Sequence, residues 1–247
     1  MEESGRSGCE LAVVIPAYNE LTNLNHLLQQ LNEHILRTVA TVLVIFVDDG
    51  STDGTGAELD RLAAEDGRLR VIHSANEGHG RALMAGVDSI VNSVEWILLM
   101  DADNEIDLGC FKNVWRARMN SAAVLGVRRN RISTWDRRIT SLGLKVFILV
   151  IFGVYLKDAN APFKLLNARS LLQIRGSLAE KPRLSSVDIA VALSSMGFSI
   201  ATYGVGYRPR QHGSSTLGRM RLAKLAMQSL FELICLRIAI LRSQVRS

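Results

Sequence analysis

Two aspartates separated by one residue, Asp101 and Asp103, follow the apolar run at 96–100. Along an extended chain alternate side chains point to the same face, so the two carboxylates can reach one point. Carboxylates this close repel each other unless a cation lies between them. Mg²⁺ is typically held by one or two carboxylates together with water and phosphate oxygens. The pair therefore predicts a site for Mg²⁺ or Mn²⁺ and a bound diphosphate, with Glu105 as a third or water-mediated ligand.

Two further polar clusters also follow short apolar runs. Residues 16–20 read Pro-Ala-Tyr-Asn-Glu, and a second cluster begins with Asp48 and Asp49. A carboxylate at such a strand end can accept a hydrogen bond from a base or a ribose, as acidic residues do in other nucleotide folds. The alternative for the second cluster is that Ser51 or Asp53 only caps the helix that follows.

The elements that must position these clusters alternate between strand and helix. Apolar runs predict strands at 11–15, 42–47, 69–73 and 96–100, and amphipathic patterns predict helices at 20–36, 55–64 and 78–91. This order is typical of an α/β fold with a mostly parallel sheet flanked by helices. Ligands of such sheets bind beyond the carboxyl ends of the strands, so we expect the three clusters to meet at one rim.

The sequence after Gly126 is less regular. Five arginines fall between 128 and 138, and an uncharged apolar run follows at 146–156. The run is too short to span a bilayer, which takes about 20 residues, so it either contacts lipid or forms a core helix. Helices are predicted near 168–174 and at 186–196, and a strand at 199–205.

The surplus positive charge belongs to the C-terminal segment. The chain has 29 basic and 24 acidic residues, and residues 219–247 alone hold six basic side chains and one acidic one. Their apolar neighbours are aliphatic, which suits an amphipathic helix on an anionic membrane surface and disfavours nucleic acid. The alternative is a helix that packs on the protein with solvated arginines. Three scattered cysteines and the lack of a signal peptide pattern predict a reducing, cytoplasmic location.

Taken in order, the three clusters resemble the family-2 glycosyltransferases with the GT-A (Rossmann-like) fold. Within that family, the sequence is similar to the polyprenyl-phosphate glycosyltransferases of the dolichyl-phosphate mannosyltransferase type. The resemblance covers residues 10–218, with 219–247 as a separate basic tail. In the second half it depends on Asp158, on Phe163-Lys164-Leu165, and on Arg210 with Gly213-Ser214-Ser215.

The resemblance implies roles for matching positions. A nucleoside-diphosphate sugar would be held by donor-binding residues, which are Pro16, Ala17, Tyr18, Glu20, Val47, Asp49, Asp101, Ala102, Asp103, Arg128 and Arg210. Of these, Asp101, Asp103, Arg128 and Arg210 would act in catalysis. Arg137 and Ser141 match positions near the phosphate of the lipid acceptor, and Asp188 matches an acidic position on a helix beside the site.

The implied reaction is metal-dependent, inverting transfer of a sugar to a polyprenyl phosphate, dolichyl or undecaprenyl, by an enzyme peripheral on the cytoplasmic face of the membrane. A phosphate acceptor is largely ionised near pH 7, so it needs no general base. One alternative is transfer to a saccharide or protein hydroxyl, for which Asp188 would be the base. Another is a non-catalytic peripheral membrane protein that keeps a nucleotide-binding fold.

Overall fold

The computed structural model describes residues 9–129, 135–179, 185–208 and 219–246. Seven strands form one sheet: β1 (Cys9–Ala17), β2 (Val42–Asp48), β3 (Leu69–His73), β4 (Val94–Leu99), β5 (Ala123–Arg129), β6 (Lys164–Asn167) and β7 (Ile200–Gly206). The helices are α1 (Leu21–Leu31), α2 (Thr55–Glu65), α3 (His79–Ile90), α4 (Phe111–Ala117), α5 (Trp135–Phe152), α6 (Ala168–Arg175), α7 (Ser185–Ser195) and α8 (Arg219–Arg246).

The strand order is β3-β2-β1-β4-β6-β5-β7. All neighbouring strands are parallel except β6, which runs antiparallel to both β4 and β5. The first residue of β6, Lys164, is therefore in register with Leu99 of β4 and Leu125 of β5. As a result, the start of β6 lies at the same rim as the carboxyl ends of the other strands.

Hydrophobic cores cover both faces of the sheet. One packs the sheet against α3, α5, α6, α7 and α8, and the other against α1, α2 and α4. Helix α3 crosses β1 and β2 closely at Gly86, where an added Cβ would lie 2.4 Å from the Val14 side chain and 3.0 Å from that of Val47. Only glycine allows this approach, which brings the start of α3 to the rim.

The predicted α/β architecture is confirmed, and most predicted elements are found within a few residues of their expected bounds. The helix expected over 20–36 ends at Leu31 and continues as a π-helical turn (Asn32–Leu36). The basic stretch that begins at Arg128 is divided between two elements. Its first two arginines end β5, Arg137 and Arg138 belong to α5, and Arg131 lies outside the described residues. Strands β5 and β6 and helix α4 were not expected.

The C-terminal helix α8 packs on the protein and still exposes an apolar side. Leu233, Leu236 and Ile240 are buried in the core shared with α5 and α7, and the Arg237 guanidinium lies 5.9 Å from the centre of the Phe152 ring of α5. Among the side chains of α8 that the structure describes, four large apolar ones are exposed, namely Phe231, Ile234, Ile238 and Leu241. Among the described residues, no helix combines the length and apolar character needed to cross a membrane.

Helix α5 likewise exposes a stripe of apolar side chains, namely Leu142, Val146, Leu149 and Val150. These positions recur at the helical spacing, so they lie on one side of the helix. Because α5 contacts α8, the molecule has two neighbouring helices with exposed apolar sides. The apolar run at 146–156 is therefore both a core element, through Ile148 and Phe152, and an exposed one.

Candidate active site

The three polar clusters meet at one rim of the sheet, as expected. They line a cleft of about 380 Å³, here called the donor cleft, whose lining residues are Pro16, Ala17, Tyr18, Glu20, Asp49, Asn76, Gly78, His79, Asp101, Ala102 and Asp103. Eight of the eleven donor-binding residues implied by the resemblance are in this set. The parallel strands β1, β2 and β4 bring them together because their carboxyl ends are adjacent.

The two neighbouring aspartates at the end of β2 have different roles. The Asp49 carboxylate faces the donor cleft and accepts hydrogen bonds from the Ser74 hydroxyl (3.0 Å) and from the N–H groups of Glu77 (2.7 Å) and Gly78 (2.8 Å). Asp48 instead interacts with the His73 ring, 3.2 Å away, and accepts from the Ser51 N–H. Asp49 is thus the one aspartate of the pair that lines the donor cleft.

Side chains of the second cluster fix the backbone of the first. The Leu21 N–H donates to Asp53 at 3.2 Å, and the Glu20 N–H donates to the Thr55 hydroxyl at 3.0 Å. The Thr55 hydroxyl in turn donates to Asp53 at 2.6 Å. Asp53 therefore holds the starts of both α1 and α2, which agrees with the structural alternative for this residue.

Asp101 and Asp103 lie on either side of the buried Ala102, and both line the donor cleft. Asp103 accepts from the Glu105 N–H at 3.1 Å, and one Asp101 oxygen lies 2.8 Å from Nε2 of His79. Partial desolvation of the half-exposed ring favours neutral His79, but the hydrogen bond to Asp101 and the charges of Asp101 and Asp103 raise its pKa above the usual value.

The donor set of the cleft fits a hard divalent cation. Two carboxylates in a partly exposed cleft match the usual protein share of a Mg²⁺ or Mn²⁺ site, with phosphate and water oxygens as the remaining ligands. In the described parts of the chain, no three histidine, cysteine or carboxylate side chains are grouped closely enough to hold a metal on their own. Glu105 lines a different cavity, so its role as a third ligand stays a prediction.

A second cavity, of about 260 Å³, adjoins the donor cleft and shares His79 and Asp101 with it. Arg128, at the end of β5, lines this cavity and makes a bidentate ion pair with Asp158, with both N–O distances 2.9 Å. Both side chains are largely buried, at 8% and 16% exposure. Asn160, whose carbonyl accepts from Arg128 at 3.2 Å, forms part of the wall.

Other predicted residues lie outside the donor cleft. The Val47 side chain is fully buried, because it points to the face of the sheet that α3 covers. Ser141 is partly exposed on α5. Arg137 also lies on α5, but its side chain, like the whole of Arg210, is outside what the structure describes. Asp188 is 3% exposed within α7 and lines neither cavity.

Sequence reasoning assigned no role to four polar residues at or behind the second cavity: Asn160, Lys164, Ser185 and Ser186. Lys164 is fully buried, and burial lowers its pKa to about 7, opposed by the charges of Asp158 and Asp101. A lysine between Phe163 and Leu165 was a usable signal, because a single cation inside an apolar strand is costly unless it has a local purpose.

Comparison with known sequences matches residues 12–166 to the family described as glycosyl transferase family 2. The undecaprenyl-phosphate 4-deoxy-4-formamido-L-arabinose transferase of Aeromonas hydrophila is 29% identical over 218 residues, which cover 87% of this chain and 65% of that protein. The undecaprenyl-phosphate mannosyltransferase of Micrococcus luteus is 26% identical over 212 residues, which cover 83% of this chain and 86% of that protein.

Among solved structures, glucosyl-3-phosphoglycerate synthase from Mycobacterium tuberculosis, in complex with Mn²⁺, uridine diphosphate and phosphoglyceric acid, is similar with a TM-score of 0.68 at 17% identity. The match covers 94% of this chain and 80% of that one. The chain spans between about half and two thirds of the length of three of its curated relatives. The fold is that of the GT-A glycosyltransferases, and the chain belongs to glycosyl transferase family 2.

Proposed function

We propose that the chain catalyses metal-dependent, inverting transfer of a sugar from a nucleoside diphosphate to a polyprenyl phosphate. The observation that carries this proposal is the position of Asp101, which lines both the donor cleft and the second cavity. A diphosphate near Asp101 and Asp103 would have its nucleoside in the cleft and its sugar in the second cavity. The relatives named for transfer to undecaprenyl phosphate support the acceptor class.

The donor cleft supplies the groups that a nucleotide needs. Tyr18 is 46% exposed and offers a ring against which a base can stack. Asp49 is fixed by three hydrogen bonds, so its carboxylate is already oriented to accept from a base or a ribose. These groups recognise the nucleoside, and they leave the diphosphate at the two aspartates beyond it.

Asp101 and Asp103 would hold Mg²⁺ or Mn²⁺ against the diphosphate. Such a cation, when bound, offsets the negative charge that grows on the leaving diphosphate. Four carboxylates line the donor cleft, and His79 is the one basic side chain among the described lining residues. The cleft therefore lacks protein charge to balance a diphosphate, which supports a metal requirement. Mn²⁺ accompanies uridine diphosphate in the mycobacterial structure.

The acceptor needs no proton acceptor from the protein, because a phosphate monoester is mostly ionised near neutral pH. Its oxygen would attack the sugar from the side opposite the diphosphate, which inverts the anomeric carbon. The alternative, a hydroxyl acceptor, needs a general base within hydrogen-bond reach of the second cavity. Asp188, the residue considered for that role, is buried and does not line this cavity.

We also propose that the protein binds the cytoplasmic surface of a membrane through α5 and α8. Exposed apolar side chains on both helices, together with the surplus of basic residues at 219–247, suit an anionic lipid surface. Ser141, expected near the lipid phosphate, precedes the exposed Leu142 on α5.

The test is a transfer assay in vesicles that contain undecaprenyl phosphate, with Mn²⁺ and a panel of radiolabelled sugar nucleotides. We expect label in the organic extract with at least one donor, and loss of that product when EDTA removes the metal. Label appearing only on added soluble saccharides or proteins would support the hydroxyl acceptor. Vesicle binding without transfer or donor hydrolysis would support a non-catalytic membrane protein.

A further inference from the structure

The wall of the second cavity is built where two chain segments meet. One segment leads into β6 and includes Asn160 and Pro162, and the other is the first turn of α7, with Ser185 and Ser186. These segments are distant in sequence, so some contact must hold them at a fixed separation. That separation sets the width of the cavity that, under the proposed function, receives the transferred sugar.

Lys164 makes the contact between the two segments. Its ammonium group donates to the Ala161 carbonyl and to the Ser186 hydroxyl. The Ser186 hydroxyl also donates to the same Ala161 carbonyl, at 3.2 Å. The three groups form a closed set of hydrogen bonds directly behind the cavity wall, and Lys164 is fully buried there.

A lysine at this position costs free energy, because its charge is removed from water. Both described hydrogen-bond partners of the ammonium group are neutral oxygens, while the nearby carboxylate of Asp158 is already paired with Arg128. An apolar side chain of similar length would fill the same volume without the cost of burying a charge. Stability alone therefore does not explain the lysine, whereas fixing Ser186 does.

The same turn of α7 also contains Ser185, whose hydroxyl group is available to a ligand. Its side chain is 2% exposed, it borders the second cavity, and its hydroxyl has no hydrogen-bond partner among the described residues. Buried polar atoms without a partner are uncommon in folded proteins. A sugar hydroxyl in the cavity is the kind of group that would satisfy it after a small side-chain rotation.

We propose that Lys164 is a positioning residue that fixes the first turn of α7 and thereby orients Ser185 and Ser186 toward the sugar of the donor. This inference rests on the proposed function, since it assumes that the second cavity receives the sugar. It assigns to Lys164 no contact with the substrate. The nucleoside end of the donor lies in the other cavity, so its binding should not depend on this contact.

The experiment compares binding of a free nucleoside diphosphate with binding of the corresponding sugar nucleotide. Isothermal titration in Mn²⁺ would use UDP against UDP-glucose and GDP against GDP-mannose, with wild type, Lys164→Met, Ser186→Ala and the double variant. Lys112→Met, on the exposed side of α4, is the matched control. The pair that wild type binds is used for all variants.

We expect Lys164→Met and Ser186→Ala to bind the nucleoside diphosphate within about twofold of wild type and the sugar nucleotide about tenfold more weakly, the loss of one or two hydrogen bonds. The double variant should lose little more than either single variant, because both remove the same contact. Ser186→Ala, a small surface-proximal change, keeps the test valid if Lys164→Met does not fold.

Equal losses for the nucleoside diphosphate and the sugar nucleotide would show a general structural role and overturn the inference. The inference would also be overturned if the variants bound the sugar nucleotide as tightly as Lys112→Met does. Fully additive losses of affinity in the double variant would overturn it as well. A wild-type chain that binds none of the four nucleotides would contradict the proposed function itself, and the inference would fall with it.

Discussion

Around the donor cleft, carboxylates accept hydrogen bonds from backbone N–H groups, whereas at the second cavity the cations Arg128 and Lys164 are bonded to a carboxylate or to neutral oxygens. Asp49 and Asp103 belong to the first arrangement, and Arg128 with Asp158 belongs to the second. The cleft keeps an uncompensated negative charge for a ligand cation. At the second cavity, Arg128 and Lys164 form contacts within the protein that hold the cavity wall in place.

This difference predicts that substitutions in the two regions fail in different ways. Changes at Asp101 and Asp103 in the cleft should remove ligand binding and activity while the fold survives, because these two side chains are partly exposed. Breaking the Arg128–Asp158 pair at the second cavity should cost stability as well, because it leaves a buried charge without its partner. The following variants test the comparison, beginning with the largest expected effect.

Asp103→Asn should lower the rate of sugar transfer by at least about a hundredfold, because a neutral amide is a poor ligand for a divalent cation. Thermal stabilisation by Mn²⁺ with a nucleoside diphosphate should also be lost, while the melting temperature without ligands stays close to that of wild type. Asp66→Asn, another partly exposed aspartate, is the matched control and should keep full activity. An active, Mn²⁺-responsive Asp103→Asn would remove the metal from the mechanism.

Arg128→Met should lower the free energy of unfolding by about 3 kcal/mol or more, because it leaves Asp158 buried and unpaired. Arg175→Met provides the control. Arg175 makes the same bidentate pair with Asp88, with both N–O distances 2.8 Å, but the two side chains are 29% and 43% exposed. Exposed pairs contribute about 1 kcal/mol at most. Urea denaturation that gave equal losses for both variants would contradict the contrast between the two regions.

The sequence predicted the donor side of the molecule well, for a physical reason. The parallel strands there are continuous apolar runs, and each ends in a polar cluster, so both the strands and the convergence of Asp49, Asp101 and Asp103 could be derived. The contact partner of Asp48 could not. It is His73, which lies 25 residues further along the chain.

The second half was harder because its key contacts join distant segments. The β6 strand has only four residues and begins with a charged one, which hides it from any search for apolar runs. The pairing of Arg128 with Asp158, and of Lys164 with Ser186, depends on the antiparallel insertion of β6 between β4 and β5. Local sequence spacing does not encode that insertion. The resemblance marked Lys164 only as part of a motif.

Asp188→Asn should raise stability at alkaline pH. Burial raises the pKa of Asp188 from its ordinary value of 3.8 to about 7, and the charge of Glu232 on α8 adds to the shift. The folded state therefore holds this proton more tightly than the unfolded state, so the stability it contributes at low pH is lost as pH rises from about 4 to about 7.

The asparagine cannot ionise, so its variant should match wild type near pH 4 and exceed it by about 3–4 kcal/mol near pH 8, the free energy that corresponds to a pKa of about 7 in place of 3.8. Thermal unfolding of both proteins across this pH range measures the difference directly. A constant difference at every pH would mean that Asp188 does not titrate in this window. Transfer activity should be unaffected, because Asp188 lines neither cavity.

The smallest expected effect concerns neither cavity but the exposed sides of α5 and α8. Val150 is 73% exposed on α5. Val150→Glu should lower binding to vesicles rich in anionic lipid by about tenfold, because it replaces an apolar contact with the lipid by a negative charge that the anionic surface repels. Met119→Glu is the matched control, since Met119 is 74% exposed in the short turn (Arg118–Asn120) after α4.

Because α4 and α5 cover opposite faces of the sheet, one membrane surface cannot contact both positions. Both variants change the net charge equally and both side chains are exposed, so unfolding temperatures should stay the same and only the location of the new charge differs. Co-sedimentation with vesicles then compares the two variants. A loss of binding for Val150→Glu alone would show that α5 contacts the membrane. Equal losses for the two variants would indicate charge alone, and no loss for Val150→Glu would exclude α5 from the lipid contact.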